Sequence, residues 1–600
     1  MRLKIFALVT AALVVAASAW LWILIFTDDF SVQYVAAYSS TKLPVLYKIS
    51  AFWAGQQGSF LLWLLIHALV GVILVFRKTP AEALAVYFAL EILLVVFVAA
   101  KSPFAANPAQ VSEGVGLNPL LQDFWMAIHP PIIFAGYALL AVPLSLSLGA
   151  LIKSPASKSW LEPARKWTLI AWSFLGAGIF IGGYWAYKVL GWGGYWAWDP
   201  VENSSLVPWL LSAVLPVAHI AAVFAYSLVI YGTFLTRSGI LGDFSVHSFA
   251  GSDVGLTIAL ANALVLIGGL AIIFVRAKKF PAGRMYDSFS EPAFIILLGM
   301  LLIVFAAAVV WLGMSMPLLT RALENPAAVD EEFYVRTTAP IAAILVALVI
   351  FSSVKFRISL GGKIAHAGFV GMLAAAVISS SGESVTAELA NGVEAEIAGH
   401  KIIYSGQIIE ARRKFYVYSV DGQEIRALTK LRGNGEDAAR EPAILKNISG
   451  DVYIAPHPPQ NILAQELILE RGRFAMDGEL GYTFTGAEIY YDENKNPIRA
   501  TAKIEVTDGI QTEIIEPLIE VTADGGSSSA IEILDGRRRV RLTGISGDEL
   551  KARVEILPAL AEISAVPITT TVSTKPLIWL LWLSAAAVCA GTFLAVRRRQ

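Results

Sequence analysis

Long apolar runs separated by short, cation-bearing stretches fill the first two-thirds of the chain and return at its end. A helix needs about 20 predominantly apolar residues to cross a bilayer. Runs of that kind lie at roughly 5 to 26, 59 to 76, 82 to 100, 124 to 150, 167 to 190, 254 to 275, 292 to 313, 339 to 354, 364 to 382 and 576 to 596. With Arg2 and Lys4 placed inside, the remaining clusters are Arg77 and Lys78, then Lys153 to Lys166, then Arg276 to Arg284, then Lys355 to Lys363, and last Arg597 to Arg599. All fall on one face under the positive-inside rule. The opposite face receives 27 to 58, 101 to 123, 191 to 203, 237 to 253, 314 to 338 and 383 to 573. This assignment holds only if residues 204 to 236, with Pro208 and Pro216 inside them, cross an even number of times. They are too few for two full spans. The expectation is two short helices or a re-entrant hairpin, with local thinning or burial among other helices.

The periodicity changes after Ile378. Alternating β-type runs such as Lys401 to Tyr404, Lys414 to Tyr418 and Arg537 to Leu542 are punctuated by Asp421-Gly422, Asn434-Gly435, Asp477-Gly478 and Asp524-Gly525-Gly526. These are strand and turn signals. The fold class that follows is a mainly α, polytopic membrane protein of about 10–12 transmembrane helices with an extracytoplasmic all-β domain. Its expected parts are a multi-span membrane domain over 1–382, a β-rich domain over 383–573, and a C-terminal transmembrane helix with a basic cytoplasmic end over 574–600.

Composition agrees and narrows the choice. With 600 residues, 56% hydrophobic and 16% charged, and mean hydropathy +0.63, the chain reads as an integral membrane protein. The net charge of -1 offers nothing to a nucleic acid. A single cysteine, Cys589, excludes an internal disulfide, CxxC and CxxCH, so the chain is neither a thiol oxidoreductase nor itself a c-type cytochrome. Residues 2 to 20 have the look of a signal peptide, but the apolar run continues to Phe26 and suits an uncleaved span better.

One water-facing stretch concentrates the chemistry. The loop 191–203, GWGGYWAWDPVEN, with Tyr184, Trp185 and Tyr187 before it and Trp209 after it, gathers large aromatics in a short window. Two readings stand: an interfacial aromatic belt, or a flat apolar platform in which Gly191, Gly193 and Gly194 let backbone approach a bound object. Asp199, Pro200 and Glu202 fit a capping box that starts the next helix. The alternative is that the two acids touch a ligand.

Seven histidines are present. His400 and His457 fall in the β block and read as surface residues. His67, amid an apolar helix, reads as a packing residue. His129, in Ile128-His129-Pro130-Pro131, and His247, in Ser245-Val246-His247, both fall on the face of the Trp loop. Two imidazoles at the rim of an aromatic platform suggest axial coordination of haem iron. A zinc site would want further ligands. His366, flanked by Ala365, Ala367 and Gly368, lies near the inner end of its span. His219 lies where the short hairpin would turn, so a second haem held between helices is a further reading.

These residues, in this order, resemble the CcmF family of cytochrome c haem lyase subunits, within the wider group of haem-handling membrane proteins that share a tryptophan-rich WWD motif. The likeness rests on Thr27-Asp28-Asp29-Phe30-Ser31 with Leu43-Pro44 and Tyr47-Lys48, then Trp53-Ala54-Gly55-Gln56-Gln57-Gly58-Ser59, then Asn118 to Asp123 leading to His129-Pro130-Pro131. It continues through the 191–203 loop, Gly232 to Gly239, Ser245-Val246-His247 and Ala365-His366. The resemblance implies cytochrome c maturation: haem received at the loop and positioned for thioether attachment to the CxxCH of an apocytochrome c. Trp192, Trp196 and Trp198 would pack on the ring, with His129 and His247 as axial ligands. His366, with His219 as its partner, would hold a b-type haem in the membrane, and Asp199 and Glu202 remain caps or ligand contacts. Implied partners are apocytochrome c, a haem chaperone of the CcmE type, a CcmH-type subunit presenting the apocytochrome, and a quinol as reductant. The implied location is the cell's inner membrane, with loop and β domain outside. The other classes kept open are a haem transporter and a haem-binding electron-transfer subunit without lyase activity.

Overall fold

Each apolar run of the sequence becomes a helix in the computed structural model. The described residues are 2–108, 111–214, 219–241, 254–279, 288–289, 291–321, 323, 327–410, 413–431, 437–457, 465–491, 497–520, 527–528, 530–546, 550–559 and 567–596. The helices, in order, are α1 (Arg2–Phe26), α2 (Gln33–Tyr38), α3 (Val45–Ala51), α4 (Gln56–Phe76), α5 (Ala81–Ala100), α6 (Phe124–Lys153), α7 (Leu161–Val189), α8 (Pro200–Ser212), α9 (His219–Arg237), α10 (Gly255–Arg276), α11 (Pro292–Leu319), α12 (Glu331–Lys355), α13 (Leu360–Ser380) and α14 (Ile578–Ala595). Among the described residues, 11 are long and apolar enough to cross a membrane, which makes this a multi-pass membrane protein.

Enclosure is uneven, and small residues explain it. The most apolar window of α6 is 89% buried, against 6% for α12, so α6 is the axis of the bundle and α12 a lipid-facing wall. Close neighbours are admitted where α6 lacks side chains. A Cβ on Gly136 would sit 2.7 Å from that of Leu175 in α7, and one on Gly149 would sit 2.5 Å from the Ala83 nitrogen in α5. The α13–α14 pair repeats the device: Gly368 abuts the Val588 backbone, and Gly591 abuts that of Ala365.

The expected short hairpin is α8 and α9. Gly232, near the end of α9, packs on Ser204 at the start of α8, so the two run antiparallel. At the other end His219 meets Ser147 of α6 and Trp160 just before α7. With 13 residues, α8 covers only about 20 Å at 1.5 Å per residue. Pro208 lies within it; Pro216, at the expected turn, is outside the described residues. The antiparallel return brings three of the cation clusters to one end, as the sequence required. Lys153 pairs with Glu82 at 3.5 Å, Arg276 donates to the Ile152 carbonyl at 3.3 Å, and the Arg77 guanidinium lies 5.9 Å from the Trp167 ring centre.

The β block holds two hydrophobic cores where the sequence suggested a single module. Strands Gly450–His457 and Ile568–Pro576 are antiparallel neighbours, and the chain between them forms the second unit. The first unit joins the sheet 384–389, 568–576, 450–457, 443–445 to a five-stranded sheet, and its core includes Tyr404, Tyr418, Ile454 and Val572. Sequence alternation missed this because an inserted unit has the same local period as its host. The turn at Asp421-Gly422 has φ of 50° and 84° as a tight hairpin demands, whereas Asn434-Gly435 and Asp524 to Gly526 lie outside the described residues.

Candidate functional site

The site is assembled where the starts of α4, α6 and α8 meet the ends of α7 and α9. Asp123 caps α6 by accepting from the Trp125 amide at 2.8 Å and pairs with Lys188 of α7 at 3.1 Å, which fixes the start of α6 against the end of α7. Nearly two turns on, His129 lies flat against α7. A Cβ on Gly182 would sit 2.7 Å from its Cε1, so only glycine leaves room for the ring. Its Nδ1 lies 2.7 Å from the Gly178 carbonyl, an acceptor only, so Nδ1 carries the proton and the ring lone pair is on Nε2. That is the tautomer a metal-binding imidazole needs.

His129 borders a cavity of about 390 Å³, within the range of small-molecule sites. Ile133, Phe134, Ile179, Trp185 and Trp196 supply apolar walls, and Glu202, Thr233 and Arg237 add polar groups. Arg237 went unassigned in the sequence, although its position as the one cation in Gly232 to Gly239 was a signal. Trp185, one of the aromatics that precede the loop, is a further wall; it is 6% exposed and clusters with Trp125 and Met126.

The loop's three candidate tryptophans have three different surroundings. Trp196 lines the cavity. Trp198, held in the left-handed region at φ +55°, meets Trp196 edge to face and stacks on Tyr334 of α12 with 5.0 Å between centroids and 5° between planes. Trp192 is 44% exposed. Asp199 and Glu202 form a true capping box: Asp199 accepts from the Val201 amide at 2.7 Å, and Glu202 accepts from the amides of Ala197 at 2.8 Å and Asp199 at 3.3 Å. Glu202 also borders the cavity.

The glycines answer to a different object from the one their spacing suggested. Gly193 (φ +81°) donates its amide to the Tyr453 hydroxyl at 3.2 Å, and a Cβ on Gly191 (φ +74°) would sit 3.1 Å from the Arg440 carbonyl. What approaches their backbone is the first β unit. Tyr187 donates to buried Asp451 at 3.0 Å, and Lys430 reaches the carbonyls of Pro119 and Gln122 at 3.1 Å each. Burial raises the Asp451 carboxyl above the usual range, raises the loop's Tyr195 phenol to about 12 and lowers the Lys575 ammonium beside Gly193.

The other expected histidines are placed less tightly together. His247 lies outside the described residues. His219 Nδ1 is 2.8 Å from Ser147 Oγ and its ring stacks on Trp160 at 4.4 Å. His366 Nδ1 is 2.9 Å from Ser353 Oγ of α12. Helix α9 packs on α6, α8 and α10, whereas α13 packs on α12 and α14, so these contacts hold the two rings on different neighbours.

A family model described as "Cytochrome C assembly protein" matches residues 53–250, which takes in His129, the Trp loop and α9. The cytochrome c-type biogenesis protein CycK of Rhizobium meliloti is 37% identical over 399 residues, 62% of this chain and 59% of that protein. The cytochrome c-type biogenesis protein CcmF of Haemophilus influenzae is 37% identical over 332 residues, 51% of this chain and 50% of that protein. The chain thus spans about half to three-fifths of the length of these relatives. A solved structure named "Cytochrome c Heme Lyase CcmF" shares the fold with a TM-score of 0.57 at 17% identity, covering 99% of this chain and 91% of that one. The likeness to CcmF-type proteins that the motifs carried is borne out, as is the fold class of membrane helices with a β-rich part.

Proposed function

We propose that this chain is a CcmF-type subunit of a cytochrome c haem lyase. It takes haem as cargo into the cavity beside the Trp loop and orients it for attachment to an apocytochrome c. The observation that carries the reading is the placement of His129: an imidazole with its lone pair on Nε2, seated by Gly182 and Gly178, at the wall of an apolar cavity that Trp196 also lines. His247 is the second axial ligand in this reading. Among the described residues, the His129 nitrogen and the aromatic walls are of the kind that a ferrous porphyrin takes.

Thioether formation adds two client thiols across the two vinyl groups: each sulfur bonds one vinyl carbon, the other takes a proton, and nothing leaves. The chain's own work is therefore positioning. His129 holds the metal centre, Trp196 covers a ring face, and Trp198, locked by Tyr334, keeps Trp196 in place. A client histidine would take the place of one of the two imidazoles, and release would follow once the other also lets go. The apocytochrome, a chaperone of the CcmE type, a CcmH-type subunit and a quinol are the proposed partners, at an inner membrane with the loop outside. A b-type haem on His219 and His366 is a separate proposal, and it would use the Nε2 of each ring, since the serines meet Nδ1.

The test is to express the chain with an apocytochrome and its partners and to score covalent haem on the client for wild type, His129→Ala and His247→Ala. Attachment abolished in both is expected. Undiminished attachment in both would reject the axial-ligand reading.

A further inference from the structure

The cavity that holds His129 also holds a guanidinium. Arg237 ends α9 at the end of the bundle where α8 begins, because the two helices are antiparallel. Four contacts fix its fork. Nη1 donates to Thr236 Oγ1 and Nη2 to Ser59 Oγ, each at 3.0 Å, and the group lies 5.5 Å from the Phe60 ring centre and 5.8 Å from that of Phe134. Gln56 secures the backbone by donating to the Arg237 carbonyl at 3.1 Å. The anchoring comes from α4 and α6, so the cation is built into the bundle and does not swing from a loop.

A fixed guanidinium in an apolar cavity is a recognition element for a carboxylate, because its planar fork presents paired donors and a weakly hydrated charge. In the low dielectric of such a wall, the pairing is worth more than at a surface. Porphyrin cargo carries two propionates on one edge and its vinyl groups towards the other. We infer that Arg237 binds a propionate of the cargo, so that His129 on α6 fixes the metal and Arg237 on α9 fixes the ring's rotation about it. This rests on the reading of the cavity as a haem site. It gives Arg237 the task of turning the vinyl edge away from α9, which determines the edge that client thiols meet.

The experiment titrates the full-length protein in detergent with haem and with haem dimethyl ester, whose propionates are uncharged. The signal is the Soret change that is lost in His129→Ala. Wild type is expected to bind haem at least about tenfold more tightly than the ester, equivalent to about 1.4 kcal/mol. Arg237→Gln should bind the two alike, with the axial-ligand spectrum intact. Arg237→Lys, which keeps the charge and loses the fork, should discriminate about threefold less well than wild type. A structural role alone would not make the acid and the ester converge. Equal affinity for both in wild type, or full discrimination in Arg237→Gln, overturns the proposal and leaves the cavity reading standing. Should Arg237→Gln fail to fold, undiminished discrimination in Arg237→Lys overturns it instead. No His129-dependent signal in wild type brings down the cavity reading, and this inference with it.

Discussion

The two ends of the bundle carry histidines in opposite settings. At the loop end His129 opens onto a cavity whose walls come from α4, α6, α7, α8 and α9, and a β unit docks beside its rim on Gly193 and Pro119. At the far end His219 and His366 each face a serine of a neighbouring helix, and one of them is capped by a stacked tryptophan. Both ends satisfy imidazoles, but the partner at the first is a carbonyl that can only accept, which fixes the tautomer beside the cavity, whereas a serine can donate or accept. Histidine count is thus a poor guide to a site, and enclosed volume with a fixed tautomer a better one.

The sharpest way to break this contrast leaves His129 itself unchanged. Gly182→Val puts side-chain atoms where the imidazole lies, since the first added carbon alone would be 2.7 Å from Cε1. Covalent attachment to an apocytochrome should fall at least about a hundredfold, the scale on which a small misplacement of a reacting group acts. His129→Ala should do the same. Retained attachment in Gly182→Val, with His129→Ala inactive, would mean that the ring works from another position. At the far end, His219→Ala and His366→Ala should leave that attachment and the His129-dependent Soret signal within about twofold if only the loop end handles cargo. Loss of a pyridine haemochrome signal from the purified protein in both variants would instead give the far end its own haem.

Much of this was legible in the chain. Every apolar run became a helix because twenty apolar residues leave little else to do in a bilayer, and the short antiparallel pair α8 and α9 followed from cation parity. His129 and Trp196 were legible as members of an ordered motif. The Gly191 and Gly193 contacts were not, because their partners, Arg440 and Tyr453, lie far along the sequence and no local period encodes that approach. Arg237 was visible as a cation beside an apolar run, but its anchoring by Ser59 and two phenylalanines is tertiary. Asp199 and Glu202 were left between cap and ligand contact, and their hydrogen bonds now account for the cap.

That account gives an intermediate prediction. Asp199→Ala removes an N-cap acceptor and should cost about 1 kcal/mol of stability, seen as a lower melting temperature in detergent, with haem affinity changed by less than about threefold. Glu202→Gln keeps most of the geometry and should do less. A tenfold loss of haem affinity in Glu202→Gln at unchanged melting temperature would move it from cap to ligand contact, and would make the loop end more polar in function than its apolar walls suggest.

The smallest effect concerns how the β unit docks at the loop end, and pH reads it. Burial raises the Asp451 carboxyl above the ordinary aspartate value of about 4, while Tyr187 donates to it. A raised folded-state value means that the docked form takes up its proton more readily than the undocked chain. Its contribution is therefore complete below about pH 4 and declines as pH rises through the raised value. Docking should be tightest in mild acid and weaken towards neutrality, where the buried carboxylate ionises at a desolvation cost that the Tyr187 bond offsets only in part. Asp451→Asn, which cannot ionise, should flatten the profile of protease protection in strand Gly450–His457 across pH 4 to 8. A profile as steep in the variant as in wild type would assign the pH response to another group. The far end supplies the contrast: its serine–histidine pairs are made without the β unit, so cleavage of that unit should leave them intact while it opens the rim around Gly193.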